Sequence, residues 1–410
     1  KLCGLSGCES LEDITYPSTV TVIGKYAFSG CKSLKSFDLP KATTEIGEDA
    51  FAGCTGFESI DLPMTITEIG IGAFKNCTNL KSIQLPKITK IYNNTFYGCT
   101  SLTEITLPAS LQEIIYEEAY YFYGAFENCT SLAKVIIEDS DRPLRIPKTT
   151  FKDTPVRYLY MGRELSEATF SECKTLQKLD ISDKVKKVVD NLFNNCSVLS
   201  EINFGINIER IGSSAFYCCP ITELFIPSKV TYLGRYAFSG CKNLQNVYIG
   251  NSLQQIDNAC FTNSNIRNLF LFSTELTSVV GAWLPTTAHI YVPDVDFYSS
   301  LLSGYTLKEL ITTYPVTSEY SGKAPQNTYT TDVPNVEITF SDEECPTYVG
   351  QHKVPRIANF KIGEWTAYCK VSSEYTITPA TLSIIADNAQ REYKKEDPIF
   401  TYKILRRSYC

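Results

Sequence analysis

Apolar and polar positions follow one another in a motif that returns along most of the chain. A clear copy runs over 232–249, "YLGRYAFSGCKNLQNVYI", and the shared form is I-G-x-x-A-F-x-x-C-x-x-L-x-x-I-x-L-P. Its Phe stands at Phe28, Phe51, Phe74, Phe96, Phe126, Phe151, Phe170, Phe193, Phe216, Phe238 and Phe261, mostly 22 or 23 residues apart. A fixed period of that length marks a chain wound into stacked turns.

Each position has a physical task. The L-x-x-I-x-L run, as in Leu102, Ile105 and Leu107, ends in a short strand whose alternate side chains point inward. The Pro that often follows (Pro40, Pro63, Pro86, Pro108, Pro227) lacks a donor and stops the strand. Ile23, Ile46, Ile69 and Ile211 are further apolar anchors, and the Gly after each is read as the residue that permits a backbone turn. Ala-Phe fills the bend and Cys is a small buried filler. No single turn can bury these groups. Stacking can, and eleven turns about 4.8 Å apart give a rod roughly 50 Å long.

This pattern closely resembles the BspA-type leucine-rich repeat over about residues 3 to 280. It departs from the better-known leucine-rich consensus in placing Cys before the Leu, as in "GCTSL" at 98–102. The resemblance implies a leucine-rich repeat solenoid, with short parallel strands, a mostly irregular or short-helical convex side and about eleven repeats. It also implies a surface protein that binds or adheres to host or microbial molecules.

Departures from the period locate special segments. The fifth repeat carries about seven extra residues in "IYEEAYYFYG", with Tyr116, Tyr120, Tyr121, Phe122 and Tyr123, predicting a loop on one face. Those rings either form a contact surface or fold back over the adjoining repeat. The stretch 138–151 is lengthened by about two residues and the next unit lacks its Cys, which predicts a local bend. Residues 281–313 read as a closing cap: the strand "HIYVP", Asp294 or Asp296 as a helix N-cap, a short helix through Tyr298 and Leu302, and Gly304 as its stop. Trp283 belongs to that seal.

From about residue 314 the composition shifts to Thr, Tyr, Val and Pro with strand alternation, predicting an all-β sandwich. "VGQHKVPRIANF" and "YTITPATLSIIADNAQREYKKEDPIFTYKI" resemble the MBG-type immunoglobulin-like repeats of bacterial surface proteins. The expected division is therefore solenoid 1–280, cap 281–313, immunoglobulin-like sandwich 314–378, and the start of a second, truncated unit at 379–410. The chain opens at Lys1 inside a repeat, so a capping segment is expected upstream.

The net charge of −7 divides into −4 over 1–280 (26 basic, 30 acidic residues) and −3 beyond (12 against 15), without the basic excess that nucleic acid requires. Ten of the sixteen cysteines share one repeat position: Cys8, Cys31, Cys54, Cys77, Cys99, Cys129, Cys173, Cys196, Cys219 and Cys241. In-register Cβ atoms stand too far apart for a disulfide and do not converge on a metal, so the set is read as a buried column of free thiols. Cys345 and Cys369 pair if strands bring them together. No signal peptide, lipid anchor or membrane span is visible. With two histidines, His289 and His352, and no nucleotide, redox or metalloprotease motif, no enzyme, cofactor or metal is expected. Asp38 and Asp61 share a position in adjacent repeats, but on an open face a solvated acidic patch is expected rather than a catalytic pair.

The outward positions flanking each central strand Ile are small and polar in the first half and become aromatic at Phe225, Tyr248 and Phe270. Exposed aromatics on a sheet call for a cover. Either the cap or sandwich folds over them, or they form a binding stripe for an extracellular protein or glycan, with Tyr158, Tyr160, Glu201, Glu223, Phe225, Asn246, Tyr248, Asn268 and Phe270 as contact residues. The expected function is non-enzymatic cell-surface recognition or adhesion, outside the cell; the alternative is a structural spacer or self-associating scaffold without a specific ligand.

Overall fold

The computed structural model describes the backbone of residues 1–410 except 36–37, 117–122, 282, 315, 320–327, 343–349, 379–382, 387–401 and 406–410. Side chains are described through 313 outside those gaps, then at 329–341, 351, 356–371 and 376. The chain forms two compact units, Lys1–Lys308 and Glu309–Cys410.

The first unit is a parallel-strand solenoid of about eleven turns. Its central strands follow the predicted alternation: in Glu104–Leu107 the outward Glu104 and Thr106 are exposed while Ile105 and Leu107 are buried. Strands Glu104–Leu107, Lys134–Ile137, Tyr158–Met161, Lys178–Ile181 and Glu201–Asn203 form one parallel sheet. Glu223–Ile226, Asn246–Ile249, Asn268–Leu271, His289–Val292 and Thr306–Glu309 form another sheet, with the predicted cap strand as its fourth member. A second column of two-residue strands, each ending in an aliphatic residue that is buried at Ile46, Ile69 and Ile211 among others, runs alongside. The lengthened stretch after residue 138 does not interrupt the sheet, because its extra residues lie between strands.

Ring stacking holds the turns together. From Phe28 to Phe261 the eleven motif phenylalanines form an unbroken ladder, with centroids 5.1–6.1 Å apart and planes within 20° of parallel. Trp283 closes it edge-on at 6.3 Å and is 1% exposed, as its assignment to the seal requires. The cap helix is short, Val295–Tyr298, with Asp294 as N-cap accepting from Phe297 N at 2.9 Å. Turns rather than a longer helix carry the chain to Gly304, whose φ is +92°.

Two sequence assignments are refined. The glycines after the anchor Ile are not in left-handed conformations. They are required by close approach instead: a Cβ on Gly47 would lie 2.7 Å from Lys25 N, and one on Gly70 would lie 2.6 Å from Glu48 N. Left-handed residues fall two places after each Phe, at Gly30, Gly53, Asn76, Gly98, Asn128 and Asn195 among others, where Gly and Asn are the residues with least strain, and also two places before most of them, as at Tyr26, Asp49, Gly72 and Asn94. The cysteines are also more than filler. The Sγ–H groups of Cys54, Cys77, Cys99, Cys129, Cys196, Cys219 and Cys241 donate at 3.1–3.3 Å to the Phe carbonyl of the preceding turn. Burial pushes the thiols of Cys54, Cys77, Cys99, Cys129 and Cys241 up, to about 12 at Cys54, Cys129 and Cys241. The column is free of disulfides as expected, although Cys8 is exposed and Cys173 only half-buried.

The second unit is described as β structure. Val316–Glu319, Trp365–Thr378, Gly350–Ile362 and Glu337–Asp342 form a four-stranded sheet, antiparallel except for the first pair. Thr312–Tyr314 pairs with Thr328–Thr330 and Ser383–Ala386 with Tyr402–Leu405, both antiparallel. Ala358, Phe360 and Cys369 are buried. Cys369 is a free thiol, and Cys345 lies outside the described residues, as does most of the expected truncated unit.

Candidate functional site

The outward columns of the central strands are the surface on which the sequence places recognition. Parallel register puts equivalent residues of successive turns side by side, about 4.8 Å apart. One column reads Glu104, Lys134, Tyr158, Lys178, Glu201. Lys134 pairs with Glu104 at 3.0 Å and Lys178 with Glu201, so both ammonium groups lean away from the Tyr158 between them. The Tyr158 hydroxyl donates to Asp180 Oδ2 at 2.8 Å, and Asn203 Nδ2 donates to Asp180 Oδ1 at 2.6 Å. Burial and the Asp180 carboxylate hold the Tyr158 phenol up at about 12. Tyr160 donates to Asp139 at 2.8 Å. Tyr158 and Tyr160 are half-buried, each with its hydroxyl held by a carboxylate.

Toward the N-terminal turns the face sinks into a polar cavity of about 540 Å³, lined by Ser59, Asp61, Ser82, Gln84, Glu104 and Glu138 with Pro108 and apolar neighbours. The small Ser59 and Ser82 leave the space. Asp38 and Asp61 are both exposed, as the solvated-patch expectation has it.

Toward the C-terminal turns the aromatic column is present and in register. Phe225, Tyr248, Phe270 and Tyr291 stack face to face at 4.7, 4.9 and 4.7 Å. It is not an open stripe: Tyr248 and Phe270 are each 1% exposed, and only Phe225 stays half-buried. Beside it run Glu223, Asn246, Asn268 and His289, with Asn268 Nδ2 donating to Asn246 Oδ1 at 3.0 Å. Glu223 is exposed and the two asparagines half-buried. The nine predicted contact residues therefore share one face, but two of them have no accessible surface to offer.

The tyrosine-rich insert falls mainly outside the described residues. Of its flanks, Tyr116 and Tyr123 are exposed, and Tyr123 stacks on Tyr97 at 4.2 Å. Sequence reasoning missed Arg163, which is 1% exposed. Its Nη1 donates to the carbonyls of Leu111 and Ala109 at 2.7 and 3.2 Å, and its Nη2 to that of Pro108 at 2.6 Å. Burial lowers its pKa, against the pull of Glu138. It ties its own turn, across the lengthened turn between them, to the one two repeats before. Among the described residues no group of three or more His, Cys, Asp or Glu is placed to hold a metal, and no helix is long and apolar enough to cross a membrane.

A leucine-rich repeat protein of Bacteroides ovatus is 23% identical, covering 74% of this chain and 79% of that one with a TM-score of 0.44. A leucine-rich cell surface protein of Faecalibacterium prausnitzii is 21% identical (66% and 86% covered, TM-score 0.34). The pneumococcal vaccine antigen PcpA is also 21% identical (72% and 78%, TM-score 0.34). No curated protein shows significant similarity. The model of the BspA-type leucine-rich repeat region matches six copies over residues 5–125 and 163–280, leaving out 126–162, which contain the lengthened stretch 138–151. With more than half of its length matched, the chain belongs to the BspA-type leucine-rich repeat family.

Proposed function

We propose that this chain is a non-enzymatic recognition or adhesion module of a bacterial cell surface, binding an extracellular protein or glycan across the strand face of the solenoid. The observation that carries the reading is the in-register band from Glu104 to Asn203, in which tyrosines stand on a prearranged base of carboxylate and amide hydrogen bonds. Aromatic edges held in place lose little entropy on binding. Family membership supports the surface location, as does likeness to a protein described as a cell surface protein. In this reading Tyr158, Tyr160, Glu201, Glu223, Phe225, Asn246 and Asn268 meet the partner, and Tyr248 and Phe270 support them from below. Residues 314–378, as an immunoglobulin-like module, hold the solenoid away from its anchor.

The rival, a spacer without a ligand, draws on the self-pairing of the same face, since Glu104–Lys134 and Lys178–Glu201 satisfy one another. The deciding experiment screens the chain against extracellular-matrix proteins and a glycan array, with the Tyr158→Ser/Tyr160→Ser variant alongside. A ligand bound at least about tenfold more weakly by a variant with an unchanged melting curve supports recognition through this band. A ligand bound equally by both places recognition elsewhere, and no ligand for a folded chain favours the spacer.

A further inference from the structure

The second column of strands carries a charge pattern that recognition does not use. Its outward residues, turn by turn, are Val22, Glu45, Glu68, Lys90, Glu113, Arg145, Ser166, Lys187, Arg210, Tyr232, Gln255 and Ser278. The order follows from the strand registers and from the bridges Glu113 to Arg145 and Leu144 to Leu165. Two like-charged neighbours stand out. Glu45 lies in register beside Glu68, and Lys187 beside Arg210, all four exposed. Like charges on adjacent in-register strands repel. Among the described residues, the ion pairs of this column are Lys90 with Glu113 and Arg145 with Glu167. Arg210 rests on the Tyr232 ring at 4.1 Å. The solenoid thus keeps two repulsive pairs on one exposed stripe.

Read in opposite directions, the ten positions from Val22 to Tyr232 are their own complement, and the uncharged Gln255 and Ser278 overhang at one end. About a two-fold axis between Glu113 and Arg145, Glu45 faces Arg210, Glu68 faces Lys187, Glu113 faces Arg145 and Val22 faces Tyr232. Lys90 faces the uncharged Ser166. No position meets a like charge. Both copies share the repeat spacing of about 4.8 Å, so the four outer contacts align together across roughly 34 Å. We propose that this stripe is a self-association surface, on which a second copy of the chain docks antiparallel through Glu45, Glu68, Lys187 and Arg210. The central strand face stays free for a separate partner, so the proposal does not depend on the recognition reading.

Exposed ion pairs are individually weak and screened by salt, so the dimer is a low-affinity one suited to chains crowded at a surface. Its salt dependence is diagnostic. A chain of net charge −7 repels its copies more strongly as salt falls, whereas the docked stripe binds more tightly.

The test is sedimentation equilibrium of the full chain in about 20 mM and about 500 mM salt. Association should weaken about tenfold or more at the higher salt. Two charge-reversed variants follow, Glu45→Lys/Glu68→Lys and Lys187→Glu/Arg210→Glu. Each alone should stay monomeric at low salt, because all outer contacts become like-charged. Mixed in equal amounts the two should associate as the parent does, since every reversed site on one meets its complement on the other. Circular dichroism melts confirm that the variants are folded. A monomeric parent at low salt overturns the proposal, as does a folded mixture that fails to associate or a single variant that dimerises like the parent.

Discussion

Replacing Arg163 by Met tests whether a single buried cation holds the irregular middle of the solenoid together. Methionine fills most of the stem volume but brings no donor. The Pro108 carbonyl keeps one partner, Leu111 N at 2.9 Å, while the carbonyls of Ala109 and Leu111 lose the donor that Arg163 brings them. Hydrogen bonds from a charged donor contribute about 1.5–3 kcal/mol each. Against that loss stands relief from burying a guanidinium, whose Nε has no partner. The expected net cost is about 2–4 kcal/mol. Arg163→Lys, with one ammonium for three carbonyls, should fall about halfway between. Urea unfolding followed by circular dichroism measures both. Because turns contact only their neighbours, loss of the staple should also lower the m-value as the two halves begin to unfold separately. A Met variant within about 0.5 kcal/mol of the parent, at unchanged m-value, would refute the staple.

The thiol column yields two further expectations. Cys99→Ala should cost about 1–3 kcal/mol through a lost bond and a small cavity, and Cys99→Ser, which keeps a donor, should recover part of it; equal loss in both would show that packing alone matters. Because burial raises thiol pKa values to about 12 at Cys54, Cys129 and Cys241, the unfolded chain releases these protons first as pH rises through 9. Stability is therefore complete below about pH 8 and falls by about 1.4 kcal/mol per buried thiol by pH 10. Urea midpoints across that range check this, and a flat profile would contradict it.

The regular turns were legible because each physical need recurs at one position with one residue type. Phe fills the bend and Leu and Ile fill the strand, and the ladder from Phe28 to Trp283 follows directly. Features that depend on three-dimensional closure were not legible. Alternation correctly turns Tyr248 and Phe270 off the strand, but whether solvent reaches them is decided by tertiary neighbours, and both are buried. Gly47 and Gly70 looked like turn residues, yet the close approach of the preceding turn is what excludes a side chain. Arg163 looks like any charged residue after a strand. Its partners lie 52 to 55 positions earlier and are reached only because the lengthened turn between them opens a gap. The side stripe of Glu45, Glu68, Lys187 and Arg210 was invisible until the registers fixed which charges are neighbours.

The thiol column also sets how this molecule ages. While the turns are closed, the sulfurs from Cys54 to Cys129 and from Cys196 to Cys241 are buried and bonded to carbonyls, out of reach of an oxidant. Any opening that separates turns releases several thiols at once from neighbouring positions. In an oxidising medium these join into disulfides that the closed stack cannot accommodate. A brief excursion is then recorded covalently and refolding is blocked. The working lifetime of the solenoid outside a cell is accordingly a matter of how rarely it opens, a kinetic quantity, rather than of how stable it is at equilibrium.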